Sequence, residues 1–191
     1  MKNVLFINAC TTPSSRTLRL SRDVLKKLGG TVEEVELYKI PLAPLDFEGL
    51  KKRHEAVLAR DFSDGDFRLA KQFAAADAIV IAAPYWDLMF PSVLKIYLEA
   101  VTVSCITFDY SEEGRPVGMC RAKELYYVTT AGGFIGENDF GFSYVKALAQ
   151  NFFDIPDVFR YAAEGLDLRG ADVDEILEKA MANVSINRKN K

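Results

Sequence analysis

The sequence predicts an α/β protein built on a doubly wound, five-stranded parallel sheet with helices on both faces, and three observations carry that prediction. Short apolar or β-branched runs alternate with longer segments of helical period. One of the runs, Ala78 to Ala83, is apolar at every position, and loops of distinctive composition follow the first, third and fourth runs. Parallel strands need crossover helices, and those helices cover both faces of the sheet, so a strand without polar alternation reads as central.

The elements follow in order. Asn3 to Asn8 reads as the first strand, Thr17 to Leu28 as a helix with Leu20, Val24 and Leu28 on one face, and Gly29-Gly30 as its stop. Thr31 to Leu37 is the second strand. Asp66 to Ala76 is helical, Ala78 to Ala83 the third strand, Pro91 to Val103 a helix, Glu124 to Thr130 the fourth strand, and Phe142 to Phe152 a helix. Val158 to Ala162 and Asp172 to Val184 supply the last strand and helix. Two segments exceed this minimal plan: residues 38 to 65, a polar, proline-punctuated connection with an extra helix expected over Glu48 to Arg60, and residues 105 to 123, a turn-rich excursion. Long connections of this kind serve as lids, interfaces or disordered segments; for residues 38 to 65 a cover over the pocket is one of the roles left open.

At 191 residues, 49% of them hydrophobic, the chain is expected to form a single domain, residues 1 to 191, around one substantial core. A net charge of −3, with basic residues scattered apart from a cluster near residue 52 and the tail Arg188-Lys189-Asn190-Lys191, argues against a nucleic-acid partner. The most apolar stretch, Phe73 to Trp86, is interrupted by Asp77 and Pro84, so neither a membrane span nor a signal peptide is expected. Cys10, Cys105 and Cys120 are odd in number and lack CxxC spacing, which fits a reducing, cytoplasmic location and argues against a disulfide frame or a metal site. The one histidine, His54, sits in a charged run and reads as solvated, leaving no imidazole for a hydrolytic triad.

Ligands of doubly wound sheets sit beyond the carboxyl ends of the strands, where the strand order reverses. Three loops fall there. Ala9 to Thr17 places the hydroxyls of Thr11, Thr12, Ser14, Ser15 and Thr17, with Arg16, at a helix start, a combination suited to a terminal phosphate; Ser15 equally suits a plain helix cap. Neither GxxxxGK[ST] nor GxGxxG is present, which weighs against a nucleoside triphosphate or a Rossmann-bound dinucleotide. Pro84-Tyr85-Trp86-Asp87-Leu88 offers aromatic walls for a flat heteroaromatic ligand, although such loops also serve as packing or interface. Thr130-Ala131-Gly132-Gly133 lets backbone amides approach a planar ligand, and is also ordinary turn chemistry.

The stretch Ala83-Pro84-Tyr85-Trp86-Asp87, continued in Pro91-Ser92-Val93-Leu94-Lys95-Ile96-Tyr97, resembles the FMN-dependent NADH azoreductase and NAD(P)H quinone reductase family, which has a flavodoxin-like fold. So do Ile106 to Tyr110 with Pro116-Val117-Gly118, Thr130 to Gly133, and Ile155-Pro156-Asp157-Val158. The resemblance implies FMN as cofactor, NADH or NADPH as donor, a quinone, azo compound or similar aromatic acceptor, ping-pong kinetics, and a homodimer with sites built across its interface. It implies that Ser15, Arg16 and Thr17 hold the FMN phosphate and that Tyr85 to Leu88 border the isoalloxazine. Thr130 to Gly133 then approach its pyrimidine side, and Phe108, Tyr110 and Phe152 line the acceptor pocket at the subunit boundary. No catalytic side chain is implied, because the chemistry belongs to the flavin. The sequence departs from the family at Cys10, where a serine is common, at Asp87 for asparagine and at Ala131 for arginine. A flavodoxin-like electron carrier, or a cofactor-free fold-mate acting as an interaction module, is the alternative.

Overall fold

The computed structural model describes residues 1–186; the basic tail from Arg188 lies outside the described residues. Its five-stranded sheet runs in the order β2-β1-β3-β6-β7, all neighbours parallel. The strands are β1 (Asn3–Asn8), β2 (Thr31–Glu36), β3 (Ala78–Ala82), β6 (Glu124–Thr130) and β7 (Asp157–Ala163). The helices are α1 (Arg16–Leu28), α2 (Phe47–Ala59), α3 (Arg68–Ala75), α4 (Ser92–Val101), α5 (Phe140–Phe152) and α6 (Val173–Ala182). Together they make the predicted doubly wound α/β fold.

Why the central strands carry no polar alternation is plain from the two cores. In β1 and β3, Leu5, Ile7, Ile79 and Ile81 point into a core closed by α3, α4 and α5, whereas Val4, Phe6, Val80 and Ala82 point into one closed by α1 and α6. Side chains alternate across a strand, so a sheet covered twice needs apolar residues at both parities. On β6, Leu125 and Tyr127 join the first core and Tyr126 and Val128 the second. Helix ends follow side-chain chemistry. Ser15, Asp139 and Asp172 accept from the backbone N–H groups of Leu18, Phe142 and Glu175, and α1 stops where Gly29 turns to a φ of 67°.

The observed bounds differ from expectation in instructive ways. Leu37–Lys39 leaves the sheet as a 3₁₀ turn, ending β2 at Glu36. The helix expected from Asp66 opens with a 3₁₀ turn, Gly65–Phe67, before α3. Pro91 precedes α4 as its cap residue, and α5 starts two residues early because Asp139 caps it. The excursion contains an antiparallel hairpin, β4 (Phe108–Tyr110) against β5 (Pro116–Gly118).

The extra helix in the long connection exists, but it lies away from the strand ends. None of the residues of α2 is buried. It is tied down by Arg53, whose guanidinium donates to the carbonyls of Glu99 (3.0 Å) and Thr102 (3.3 Å) at the carboxyl end of α4. With Ile40 to Leu45 and Gly65 to Leu69 it encloses a side cavity of about 450 Å³. His54 stands exposed on α2. Among the described residues no helix is long and apolar enough to cross a membrane.

Candidate active site

The strand order reverses between β1 and β3, and the carboxyl ends of β1, β3 and β6 open onto one cleft of about 360 Å³. Its first wall is the start of α1, with Thr11, Thr12, Ser14, Ser15, Arg16 and Thr17. Pro84, Tyr85 and Trp86 form the second wall; Thr130, Gly132 and Asp167 form the third. The three loops singled out in the sequence therefore converge, joined by a fourth, the turn after β7.

Backbone pairing continues past the strands and holds these loops in place. Ala9 donates to the carbonyl of Ala82 at 2.9 Å, Tyr85 to Thr130 at 3.0 Å and Ala131 to Ala163 at 3.0 Å. The Thr17 and Thr130 hydroxyls meet at 2.6 Å in a buried strut between α1 and β6. Thr17 thus lines the cleft with its hydroxyl already engaged, so its free donor there is the main-chain N–H of a first helical turn. Ser15 caps the helix at 3.4 Å from the Leu18 nitrogen, which leaves both readings of that residue compatible with one geometry. The first turn of α1 carries no acidic residue.

In the second wall, Trp86 and Met89 exchange backbone hydrogen bonds of 2.9 and 2.8 Å around Asp87 (φ 50°) and Leu88 (φ 66°). This is a two-residue hairpin turn with both central residues left-handed, a conformation that Asp tolerates and that strains Leu. Asp87 and Leu88 form the exposed tip; Tyr85 and Trp86 face the cleft. The Tyr85 hydroxyl donates to the Asn138 carbonyl at 2.9 Å, and burial, followed by the charges of Asp139 and Glu164, raises its pKa.

Ala131 is buried and its backbone is paired on both sides with the β7 loop, so it offers the cleft no side chain. Gly132 and Gly133 differ: their carbonyls accept from Asp167 and Gly165, both at 2.9 Å, while their N–H groups have no acceptor among the described residues. Cys10 is half-buried with its N–H on the Asn8 side chain, and burial pushes its thiol pKa up despite a hydrogen bond from Ser15. Such a thiol is a poor nucleophile.

Phe108, Tyr110 and Phe152 do form one aromatic cluster, with ring centroids 5.4 and 5.0 Å from Phe108. The cluster lies at the opposite end of the chain's own sheet from the cleft. Helix α5 leaves the carboxyl end of β6 and returns to the amino end of β7, so its last residue, Phe152, lies about 20 Å, the length of a 13-residue helix, from the cleft.

Residues 2–186 match the flavodoxin-like fold family. The FMN-dependent NADH:quinone oxidoreductase 2 of Clostridium acetobutylicum is 34% identical over 193 residues, covering 95% of each chain. The FMN-dependent NADH:quinone oxidoreductase of Clostridium beijerinckii is 32% identical over the full length of both. The chain belongs to this flavodoxin-like oxidoreductase family. Membership makes it an oxidoreductase. Among solved structures, an azoreductase from Bacillus anthracis Sterne superposes with a TM-score of 0.82 at 24% identity, covering 95% of this chain and 96% of the other. An FMN-dependent NADH-azoreductase from Bacillus anthracis Ames Ancestor, determined in complex with FMN, gives 0.79 at 24% identity over 95% of both. These two likenesses concern the fold.

The donor set of the cleft fits an FMN-sized ligand of this family. Hydroxyls, first-turn amides and one guanidinium suit a phosphate monoester, Tyr85 and Trp86 suit a flat ring, and the two unpaired glycine amides suit the carbonyls of its edge. A larger cavity next door, about 470 Å³ and lined by Cys10, Arg22, Glu34, Glu36, Tyr38 and Lys39, mixes charges of both signs and lacks an aromatic pair.

Two groups escaped sequence reasoning. Asp167 accepts from Arg16 at 2.8 Å across the cleft, and Arg16 holds its carboxyl below the usual range. Arg160 on β7 binds Asp139 at 2.6 Å and Glu164 at 2.9 Å, while Glu164 accepts from the Ile135 N–H at 3.0 Å and Asp139 caps α5. This network fixes the 133–139 loop, whose Asn138 carbonyl holds Tyr85. A weak signal existed in the four-residue spacing of Arg160 and Glu164, but the partners from the loop are visible only in three dimensions.

Proposed function

We propose that the chain transfers two electrons from NADH or NADPH to quinones, azo compounds or similar flat acceptors, with FMN held in the cleft after β1, β3 and β6. The observation that carries this reading is the convergence of a phosphate-type helix start, an aromatic hairpin and two unpaired glycine amides on one cleft of a quinone oxidoreductase relative. When bound, FMN supplies the two-electron chemistry. The protein's residues position and tune. Ser15, Arg16 and the first-turn amides of α1 hold the phosphate; Pro84, Tyr85 and Trp86 wall the ring, with Asp87 and Leu88 shaping the turn that presents them. Thr130 to Gly133 supply the amides that meet the pyrimidine edge as preorganised dipoles.

Donor and acceptor use one open face in turn, which makes the kinetics ping-pong with parallel double-reciprocal plots. The aromatic cluster of Phe108, Tyr110 and Phe152 serves this face from a second protomer, because its own cleft is a helix length away. The exposed apolar residues at the two ends, Trp86 and Phe134 beside the cleft and Tyr110, Val117 and Met119 on the hairpin, suit such a homodimer.

The deciding experiment is to purify the protein, record a flavin absorption spectrum and add NADH without oxygen. A yellow protein bleached by NADH is expected. A colourless protein that takes up no FMN removes the reading, and a monomer by light scattering with full activity removes the shared site.

A further inference from the structure

Among the described residues Arg16 is the one cation lining the cleft, and it is already in use. Its guanidinium spans from α1 to the turn after β7, donating to the Asp167 carboxylate at 2.8 Å and to the Leu166 carbonyl at 3.3 Å. The placement of Asp167 is built into the backbone. Its N–H donates to the Gly132 carbonyl at 2.9 Å, as that of Gly165 does to Gly133, so the two loops are zipped together. Its carboxylate lies over Gly132: a Cβ there would come within 2.2 Å of Asp167 Oδ2, so glycine is what leaves the acid its place. The carboxylate is nonetheless 65% exposed and free to swing outward into water.

A phosphate monoester arriving at α1 brings up to two negative charges to a cleft whose lining, among the described residues, carries one positive side chain. If Asp167 kept its partner, two anions would share one guanidinium within a few ångströms, and like charges so placed repel. We propose that Asp167 is an intramolecular competitor for the phosphate-binding arginine: FMN enters by exchanging its phosphate for the Asp167 carboxylate on Arg16, and cofactor affinity and the preference for FMN over riboflavin are set by that exchange. The inference rests on the FMN reading of the cleft. Riboflavin, which has no phosphate, leaves the Arg16–Asp167 pair intact. An exposed ion pair is weak, so the exchange is easy for a phosphate and pointless for a neutral ligand.

The test is to titrate the FMN-stripped protein with FMN and separately with riboflavin, following flavin fluorescence, for wild type and Asp167→Asn, each also in an Arg16→Gln background. Asp167→Asn is expected to tighten FMN by about threefold to tenfold, the scale of one exposed ion pair plus a like-charge contact. Riboflavin affinity should move by less than about twofold, and the gain for FMN should shrink in the Arg16→Gln background, where there is no guanidinium to compete for. Asp167→Ser, with circular dichroism as the check on folding, should change FMN affinity in the same direction. Unchanged or weakened FMN binding in both variants overturns the inference, as does an equal gain for riboflavin or a full gain without Arg16. If neither wild type nor variant binds FMN, the cofactor reading falls and this inference with it; FMN binding indifferent to Asp167 removes the inference alone.

Discussion

The two ends of the same sheet are built on opposite principles. At the amino end the starts of β1, β3, β6 and β7 are stitched by side chains: Lys2 to Glu124, Asp77 to the Asn3 N–H and to Arg121, Lys123 to Asp154. At the carboxyl end, the N–H groups of Gly132, Gly133, Arg16 and Thr17 have no acceptor among the described residues, and hydroxyls face a cleft. Unpaired donors are a cost, and they persist where the rest of the structure sustains them. The difference teaches that one end carries stability and the other keeps its bonding capacity for a ligand.

If that division is right, variants at the two ends should separate stability from cofactor binding. The largest effect is expected from Gly118→Ala on the hairpin that closes the amino end. A Cβ at Gly118 would meet the Asp154 nitrogen at 2.1 Å and the Phe153 carbonyl carbon at 2.2 Å, backbone atoms that cannot step aside. We expect a loss of about 3 kcal/mol in urea unfolding, an effect on stability larger than any on FMN affinity, which the hairpin reaches only through a second protomer. Arg16→Gln should do the reverse. It should weaken FMN about tenfold by fluorescence titration, near the low end for a hydrogen bond to a charged group, because Asp167 already shares the guanidinium. Its unfolding midpoint should barely move, since the pair it breaks is exposed.

Arg160→Met tests where the division fails. Its network with Asp139 and Glu164 lies at the cleft end yet is built like the stitching of the other end, with side chains 28, 12 and 26% exposed. We expect a stability loss of about 2 kcal/mol, below the range for a fully buried pair. A several-fold rise in KM for the acceptor should accompany it, because the 133–139 loop no longer holds Tyr85. A change in stability alone would make the network structural only.

How much of this could be read from sequence follows the range of the interaction. Leu5, Ile7, Ile79 and Ile81 announce a doubly covered sheet because periodicity is local, and Ser15 and Gly29 mark the ends of α1 because caps are local. The three cleft loops were legible because strand polarity places every βα loop at one end. Asp167 was not, since it meets Arg16 across 151 residues of sequence and reads alone as one more surface acid. The Trp86–Met89 turn lacks the Asn-Gly signal of its type, and the placement of Phe108 and Tyr110 depends on which way α5 runs under them. From sequence, a cover over the pocket is one of the roles open to residues 38 to 65. Tyr38 and Lys39 line the cavity beside the cleft, but α2 packs away from it, because Arg53 finds its acceptors at the end of α4.

The smallest expected effect is a pH limb belonging to the stitched end. Asp77 accepts from the Asn3 N–H at 2.7 Å and pairs with Arg121, and that backbone hydrogen bond, outweighing burial and helped by Arg121, lowers its pKa from the ordinary value. A carboxyl whose folded pKa lies below its unfolded one, about 3.9, contributes stability that is fully present above the unfolded value. That stability is lost as pH falls through the folded one. Wild type should therefore lose stability as pH drops below about 4, and Asp77→Asn, which keeps an acceptor for Asn3 but cannot titrate, should lose less over the same interval. At neutral pH the variant should cost about 1 kcal/mol, the difference between a charged and a neutral acceptor. FMN affinity of the folded protein should be the same for both at each pH, because the acid is at the far end of the sheet from the cleft. A parallel acid limb in the variant would place the titration in another carboxylate. A shift in FMN affinity would show that the two ends are coupled through β3, the strand that carries Asp77 before its first residue and the aromatic hairpin after its last.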